Sequence, residues 1–194
     1  GDTASIAERY AITASVLEKV YPTKTVETGK PISAFDYQAS TYPAPAVKCA
    51  KPKVLIPVFP GTNCEYDSAR AVEAAGAQAE ILVIRNLTAE DVARSVEQAV
   101  EKIRDSQMIF LPGGFSGGDE PDGSAKFITA FFRNPAVKEQ VMKLLDDRDG
   151  LMCGICNGFQ ALIKLGLVPF GKIIDTDDTC PTLTFNTIGR DQSR

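Results

Sequence analysis

The segment Gly150-Leu151-Met152-Cys153-Gly154-Ile155-Cys156-Asn157-Gly158-Phe159-Gln160 decides the fold of this chain. Its first four residues predict a short strand, and its second half predicts a helix that runs to Leu165. A sharp turn from a strand into a helix needs small residues two positions before and two positions after its central residue, because the backbone doubles back there. Gly154 and Gly158 meet that need around Cys156, so the segment predicts a strand, an elbow that exposes a cysteine, and a helix.

The chain from Lys53 onward alternates predicted strands with predicted helices. Val54 to Phe59 is a continuous apolar run, which is typical of a strand buried on both faces. Further strands are predicted at Ala79 to Ile84 and Gln107 to Leu111, with less regular ones at Lys172 to Ile174 and Thr182 to Ile188. One helix is predicted to end near Ala75, and a second is predicted to begin at Thr88. Two more are predicted from Ala125 to Phe132 and from Pro135 to Asp147. This alternation predicts a doubly wound α/β fold with a mainly parallel sheet and helices on both faces.

The first 52 residues have a different character. Ser5 to Tyr21 predicts one amphipathic helix, whereas Thr23 to Pro52 is rich in proline and weakly periodic, as in an extended linker. We therefore place a domain boundary near Lys51, with a helix and linker in 1–52 and the α/β domain in 53–194. No closing helix precedes Arg194, so we expect that domain to be partial.

Composition narrows the classes of function. Of 194 residues, 44% are hydrophobic and 24% charged, as in an ordinary globular protein. The net charge of −4, without a basic patch, argues against a nucleic-acid or membrane partner, and no apolar run is long enough for a bilayer. The odd number of cysteines fits a reducing cytoplasm. They are Cys49, Cys64, Cys153, Cys156 and Cys180.

The elbow predicts that Cys156 is a nucleophile. The positive end of the following helix favours its thiolate, and the backbone amide of Asn157 would face an oxyanion beside the sulfur. Acyl chemistry at a cysteine normally needs an imidazole, yet the chain contains no histidine. Two alternatives remain open, a buried structural cysteine and a Cys153–Cys156 redox pair. A zinc site is disfavoured because no second C-x-x-C is present.

A glycine-rich segment follows the third predicted strand, Leu111-Pro112-Gly113-Gly114-Phe115-Ser116-Gly117-Gly118-Asp119. It lies at the carboxyl edge of the sheet, where open α/β sheets build their sites, and paired glycines let a backbone N–H approach a ligand closely. A flexible loop is the plain alternative, and a phosphate-binding loop is excluded because the Lys-Ser/Thr ending is missing. The acidic residues that follow could hold a cation, but a solvated loop is favoured. They are Asp119, Glu120 and Asp122.

A third segment lies at the same edge, Pro57-Val58-Phe59-Pro60-Gly61-Thr62-Asn63-Cys64-Glu65. Asn63 is a candidate for binding the polar groups of a substrate. Its alternative role is to cap the helix that follows.

Together the three segments resemble the triad (class I) glutamine amidotransferases. Their residue sequences are similar to those of the glutaminase domains of the phosphoribosylformylglycinamidine synthases. The resemblance implies a flavodoxin-like fold in which Cys156 attacks glutamine, giving a glutamyl thioester and ammonia, and water then releases glutamate. It also implies an oxyanion hole formed by the amides of Gly114 and Asn157. The substrate-binding residues that it implies are Gly113, Phe115, Gln160 and Asn63.

The same resemblance implies what lies outside this chain. Ammonia would pass to a synthetase region, where ATP and Mg²⁺ support conversion of formylglycinamide ribonucleotide into its amidine. Residues 1–52 are similar to the segment that joins that region to the glutaminase. No cofactor is expected in the fragment itself.

The sequence departs from the family at the triad. The family's His-x-Glu pair has no match here, so we expect the chain alone to be nearly inactive. Two other classes stay open, a catalytically silent docking module and a cysteine hydrolase or chaperone with a G-x-C-x-G elbow.

Overall fold

The computed structural model describes residues 5–20, 38, 48–117 and 124–183, with side chains from 5 to 16 in the first range. The chain divides into two compact units, Gly1–Tyr42 with Thr184–Arg194, and Pro43–Leu183. In the first unit, helix α1 spans Ile6–Val20 and confirms the predicted N-terminal helix. It begins with a capping box, because the Ser5 N–H donates to Glu8 and the Glu8 N–H donates to the Ser5 hydroxyl.

The second unit is built on a four-stranded parallel sheet. Its strands are β1 (Lys53–Val58), β2 (Gln78–Val83), β3 (Met108–Leu111) and β4 (Leu151–Gly154), in the spatial order β2-β1-β3-β4. The chain therefore adds β2 on one side of β1, and then adds β3 and β4 on the other side. The predicted parallel α/β fold is confirmed, and the carboxyl edge at β1 and β3 is the switch point where such folds place ligands.

Helices connect the strands, and several of their ends follow from the sequence. They are α2 (Glu65–Ala74), α3 (Ala89–Asp105), α4 (Lys126–Phe132), α5 (Pro135–Met142), α6 (Asn157–Leu165) and α7 (Leu167–Phe170). The Asp91 N–H donates to the Thr88 hydroxyl over 3.0 Å, so Thr88 caps α3 at the predicted start of that helix. Gly76 and Gly166 follow α2 and α6 with φ near +90°, the left-handed geometry in which glycine ends a helix.

The core covers both faces of the sheet. Leu55 in β1 packs into one cluster with Ala99 and Ile103 of α3, while its neighbours Val54 and Ile56, which point to the opposite face, are buried as well. Helix α2 contacts β1 and β2. Burial of each such aliphatic side chain contributes about 1.5–3 kcal/mol.

Three predicted elements differ from the structure in whole or in part. Lys172 to Ile174 is not a strand, because the Ile174 N–H donates to the Leu165 carbonyl at the end of α6 over 3.0 Å. The predicted helix from Pro135 to Asp147 is α-helical only to Met142 and continues as a π-helical turn. Thr182 and Leu183 form no strand, and the rest of that predicted strand lies outside the described residues, as does most of the predicted linker. No helix in the described ranges is long and apolar enough to cross a membrane.

Candidate active site

Cys156 lies at the elbow between β4 and α6. It is exposed and occupies the N-cap position of α6 with φ +53° and ψ −111°. L-residues rarely adopt a positive φ, and such strain persists where the surrounding structure enforces it. The elbow therefore presents the Cys156 side chain above the carboxyl edge of the sheet.

The glycines on either side of Cys156 are required by close packing. A Cβ atom at Gly154 would lie 2.5 Å from the carbonyl carbon of Gly158. A Cβ atom at Gly158 would lie 2.2 Å from the carbonyl oxygen of Leu111 in β3. The elbow thus folds back on itself and packs against β3, as the G-x-C-x-G pattern predicts.

The loop after β3 lies directly against the cysteine. A Cβ atom built at Gly113 would be 3.3 Å from the Cys156 Cβ and 3.9 Å from its Sγ. The structure therefore brings the glycine-rich segment and the elbow together, although Gly113 and Cys156 are far apart in sequence.

The loop after β1 holds the glycine-rich segment in place. The Asn63 N–H donates to the Gly113 carbonyl and the Phe115 N–H donates to the Gly61 carbonyl, each over 2.8 Å. Gly114 lies between these bonds with φ +135°, and a Cβ atom there would be 2.4 Å from the Gly61 oxygen. Only glycine fits this position, because both the backbone angle and the close approach exclude a side chain.

Two backbone amides flank the contact between Gly113 and Cys156 in sequence, because Gly114 follows Gly113 and Asn157 follows Cys156. Within the described ranges, neither the Gly114 N–H nor the Asn157 N–H donates a hydrogen bond. Asn157 is the first residue of α6, where helix N–H groups have no partner within the helix and the helix dipole is positive. These two amides are chemically suited to bind an oxyanion.

The side chain of Asn157 has a different role from its amide, and it involves a residue that the sequence analysis missed. Asn157 is 2% exposed, and its Oδ1 accepts from the Ser116 N–H over 3.1 Å and from the Ser116 hydroxyl over 2.7 Å. Its Nδ2 donates to Gln160 Oε1 over 3.1 Å. Ser116 is fully buried. The only signal for it was its place within the glycine-rich segment.

The remaining predicted substrate-binding residues lie at the same edge. Phe115 is 58% exposed, and Gln160 is half-buried with its side-chain oxygen already bonded to Asn157. The alternative role of Asn63 as a helix cap is wrong, because Cys64 holds the N-cap position of α2 and no side chain caps that helix. Asn63 is exposed, and its side chain forms no hydrogen bond with the described residues.

The other predicted candidates are the remaining cysteines and the acidic residues that follow the glycine-rich segment. The cysteines are free thiols, Cys153 and Cys156 included. Asp119, Glu120 and Asp122 lie outside the described residues. Among the residues that the structure describes, no three His, Cys, Asp or Glu side chains are grouped as metal ligands.

Comparison with known proteins identifies the family. Residues 51–194 match the CobB/CobQ-like glutamine amidotransferase domain, and the chain belongs to that family. This confirms the resemblance that the three motifs predicted.

Curated relatives agree with the family match. The chain is 35% identical over 145 residues to the phosphoribosylformylglycinamidine synthase subunit PurQ of Dehalococcoides mccartyi, covering 75% of this chain and 51% of that protein. It is 40% identical over 119 residues to PurQ of Sulfurimonas denitrificans, covering 60% of this chain and 44% of that protein. It is 32% identical over 117 residues to PurQ of Pyrococcus furiosus, covering 60% of this chain and 43% of that protein. The chain thus spans about half the length of the curated relatives it matches.

Among solved structures, the chain is similar to a chain of PurLQS from Thermotoga maritima. The identity is 29% and the TM-score 0.42, and the alignment covers 60% of this chain and 45% of that chain.

Proposed function

We propose that this chain is the glutaminase part of a phosphoribosylformylglycinamidine synthase, acting in the cytoplasm on glutamine. The observation that carries the proposal is the strained elbow that places Cys156 beside Gly113, with the next amide after each of them, Asn157 and Gly114, unpaired among the described residues. The family match and the resemblance to PurQ subunits support the same assignment.

The proposed reaction proceeds through a thioester. The Cys156 sulfur attacks the side-chain amide carbon of glutamine, and its proton passes to a base. The amides of Gly114 and Asn157 hold the resulting oxyanion. The base returns the proton to the leaving nitrogen, so that ammonia departs and a γ-glutamyl thioester remains on Cys156. Water then attacks the thioester and gives a proton to the base. The C–S bond breaks, glutamate is released, and the base returns the proton to the Cys156 thiolate.

The base is the group that this chain does not supply. An imidazole normally performs these proton transfers, and the chain has no histidine. We propose that a His-x-Glu pair from protein outside these 194 residues completes the triad. The chain alone should therefore hydrolyse glutamine at least about 10³-fold more slowly than the complete enzyme.

Binding of the glutamine molecule is assigned to the groups at the same edge. The half-buried Gln160 offers an amide NH₂ and Asn63 an exposed side chain, and neither group bonds to any residue that the structure describes. Phe115 is an exposed apolar surface suited to the methylenes of glutamine. Gly113 admits the substrate to the sulfur because it has no side chain.

The ammonia would be used by a synthetase region outside this chain. That region, with ATP and Mg²⁺, would convert formylglycinamide ribonucleotide into its amidine. Residues 1–52 would lie between it and the glutaminase.

Glutamine-dependent and ammonia-dependent turnover of the complete enzyme test this proposal. Cys156→Ala should lose glutamate release and glutamine-dependent turnover while ammonia-dependent turnover persists. Cys153→Ala, three residues earlier on β4, is the matched control and should keep both activities. Glutamate release by Cys156→Ala at the wild-type rate would refute the proposal, and loss of both activities in Cys153→Ala would favour the redox pair.

A further inference from the structure

We propose that Ser116 is a positioning residue for the oxyanion hole, acting through the side chain of Asn157. This inference rests on the proposed glutaminase function. It assigns a role to a residue that does not touch the glutamine.

The contacts of Ser116 link the two segments that carry the proposed oxyanion-hole amides. Gly114 lies two residues before Ser116 in the loop after β3, and Asn157 directly follows Cys156 at the start of α6. The Oδ1 atom of Asn157 accepts from both the N–H and the hydroxyl of Ser116, at 3.1 and 2.7 Å. Both bonds join that loop to the first residue of α6, whereas another side-chain bond between loop and helix, from Lys164 to the Ser124 carbonyl over 2.8 Å, lies far from Cys156 in sequence. The two Ser116 bonds fix the separation of the two amides.

Burial makes this link strong. Ser116 is 0% and Asn157 2% exposed, so water does not compete for their hydrogen bonds. Leaving a buried polar group without its partner is unfavourable, which favours the bonded arrangement over a loosened loop. The backbone bonds to the β1 loop hold Gly113 and Phe115, but they do not reach the elbow.

The network also sets the orientation of two side-chain amides. A backbone N–H can only donate, so the Asn157 atom that faces Ser116 is its oxygen. The Asn157 NH₂ then faces Gln160 and occupies the oxygen of that side chain. Gln160 is left with its NH₂ as the group available to a ligand. Ser116 thus determines that Gln160 acts as a donor, which suits the carboxylate of an amino acid.

The test measures kcat and KM for glutamine in the complete enzyme. Ser116→Ala keeps the small size and the backbone N–H bond but removes the hydroxyl, and it should lower kcat about tenfold, because small displacements of catalytic groups slow the reaction steeply. KM should change less than about twofold. Alkylation of Cys156 by iodoacetamide should be unchanged, because that reaction forms no oxyanion. Ser116→Cys, whose thiol donates weakly, should give an intermediate kcat.

Ser106→Ala is the matched control. Ser106 is 1% exposed and its hydroxyl donates to the Lys102 carbonyl over 2.7 Å, but it precedes β3 at the opposite edge of the sheet. Its kcat should equal that of the wild type.

Two results would overturn the inference: a kcat of Ser116→Ala within about twofold of the wild type, or the same loss in Ser106→Ala. If Ser116→Ala does not fold, the kcat of Ser116→Cys decides, and a wild-type value refutes the inference. Cys156→Ala in the same assay tests the glutaminase function separately. If it still releases glutamate, the proposed function fails and the inference fails with it.

Discussion

Replacing Gly158 by alanine should destabilise the α/β unit, although alanine is the better helix former. In the helix alone, Gly→Ala would stabilise by about 0.5–1 kcal/mol. Here the new Cβ would lie 2.2 Å from the Leu111 oxygen and 2.7 Å from the Leu111 Cβ. Ordinary carbon contacts are about 3.5–4.0 Å, so α6 must move by about 1 Å away from β3.

The size of the effect follows from that displacement. Overpacking of this kind costs about 1–3 kcal/mol, and each kcal/mol lowers Tm by roughly 2–4 °C in a chain of this size. We therefore expect Tm to fall by about 2–12 °C. Movement of the elbow by about 1 Å should also reduce glutaminase activity about 10²-fold.

The assay is thermal unfolding of this chain followed by circular dichroism, together with glutamate release by the complete enzyme carrying the same change. Gly76→Ala is the control, because its φ is +89° but a Cβ there has no neighbour within 4 Å. It should lower Tm through backbone strain of about 1–2 kcal/mol and leave activity unchanged. A Tm for Gly158→Ala at or above the wild-type value would refute the packing argument.

Three further predictions concern stability. Thr88→Ala removes the cap of α3 and should lower Tm by about 2–4 °C, corresponding to about 1 kcal/mol, in a thermal melt. Arg148→Met removes donors to the carbonyls of Ile103, Arg104 and Ser106, and should cost about 1.5–3 kcal/mol in urea unfolding, whereas an equal midpoint would contradict the role of Arg148. The hydroxyl and N–H of Thr179 hold the pKa of the exposed Asp177 carboxyl below its usual value. The stability from this turn should therefore be present above the ordinary pKa and disappear as pH falls through the lowered one; an NMR titration midpoint at or above the ordinary value would exclude it.

Much of the fold could be predicted because local sequence and tertiary packing agree. The apolar run of β1, the Thr88 cap and Gly166 after α6 each act through neighbouring residues in sequence. The strand predicted at Lys172 to Ile174 is wrong. Its two isoleucines fit a strand, whereas in the structure Ile173 is buried and the Ile174 N–H bonds to the end of α6. That bond depends on how the chain turns after Gly166, which periodicity does not encode.

In the candidate site, too, features set by local sequence could be predicted and features set by tertiary contacts could not. The glycines around Cys156 are detectable because the elbow is a local structure with a steric requirement. Ser116 was missed because its partner Asn157 is 41 residues away, and a serine in a glycine-rich loop gives no periodic signal.

The measurement that tests the central claim most directly is identification of the covalent intermediate. The complete enzyme would be mixed with glutamine, quenched in acid, digested and analysed by mass spectrometry. The account predicts one γ-glutamyl group on the peptide that carries Cys156, and none in the Cys156→Ala variant. An enzyme that turns over glutamine with no adduct on Cys156, or with the adduct on Cys64 or Cys153, would contradict it.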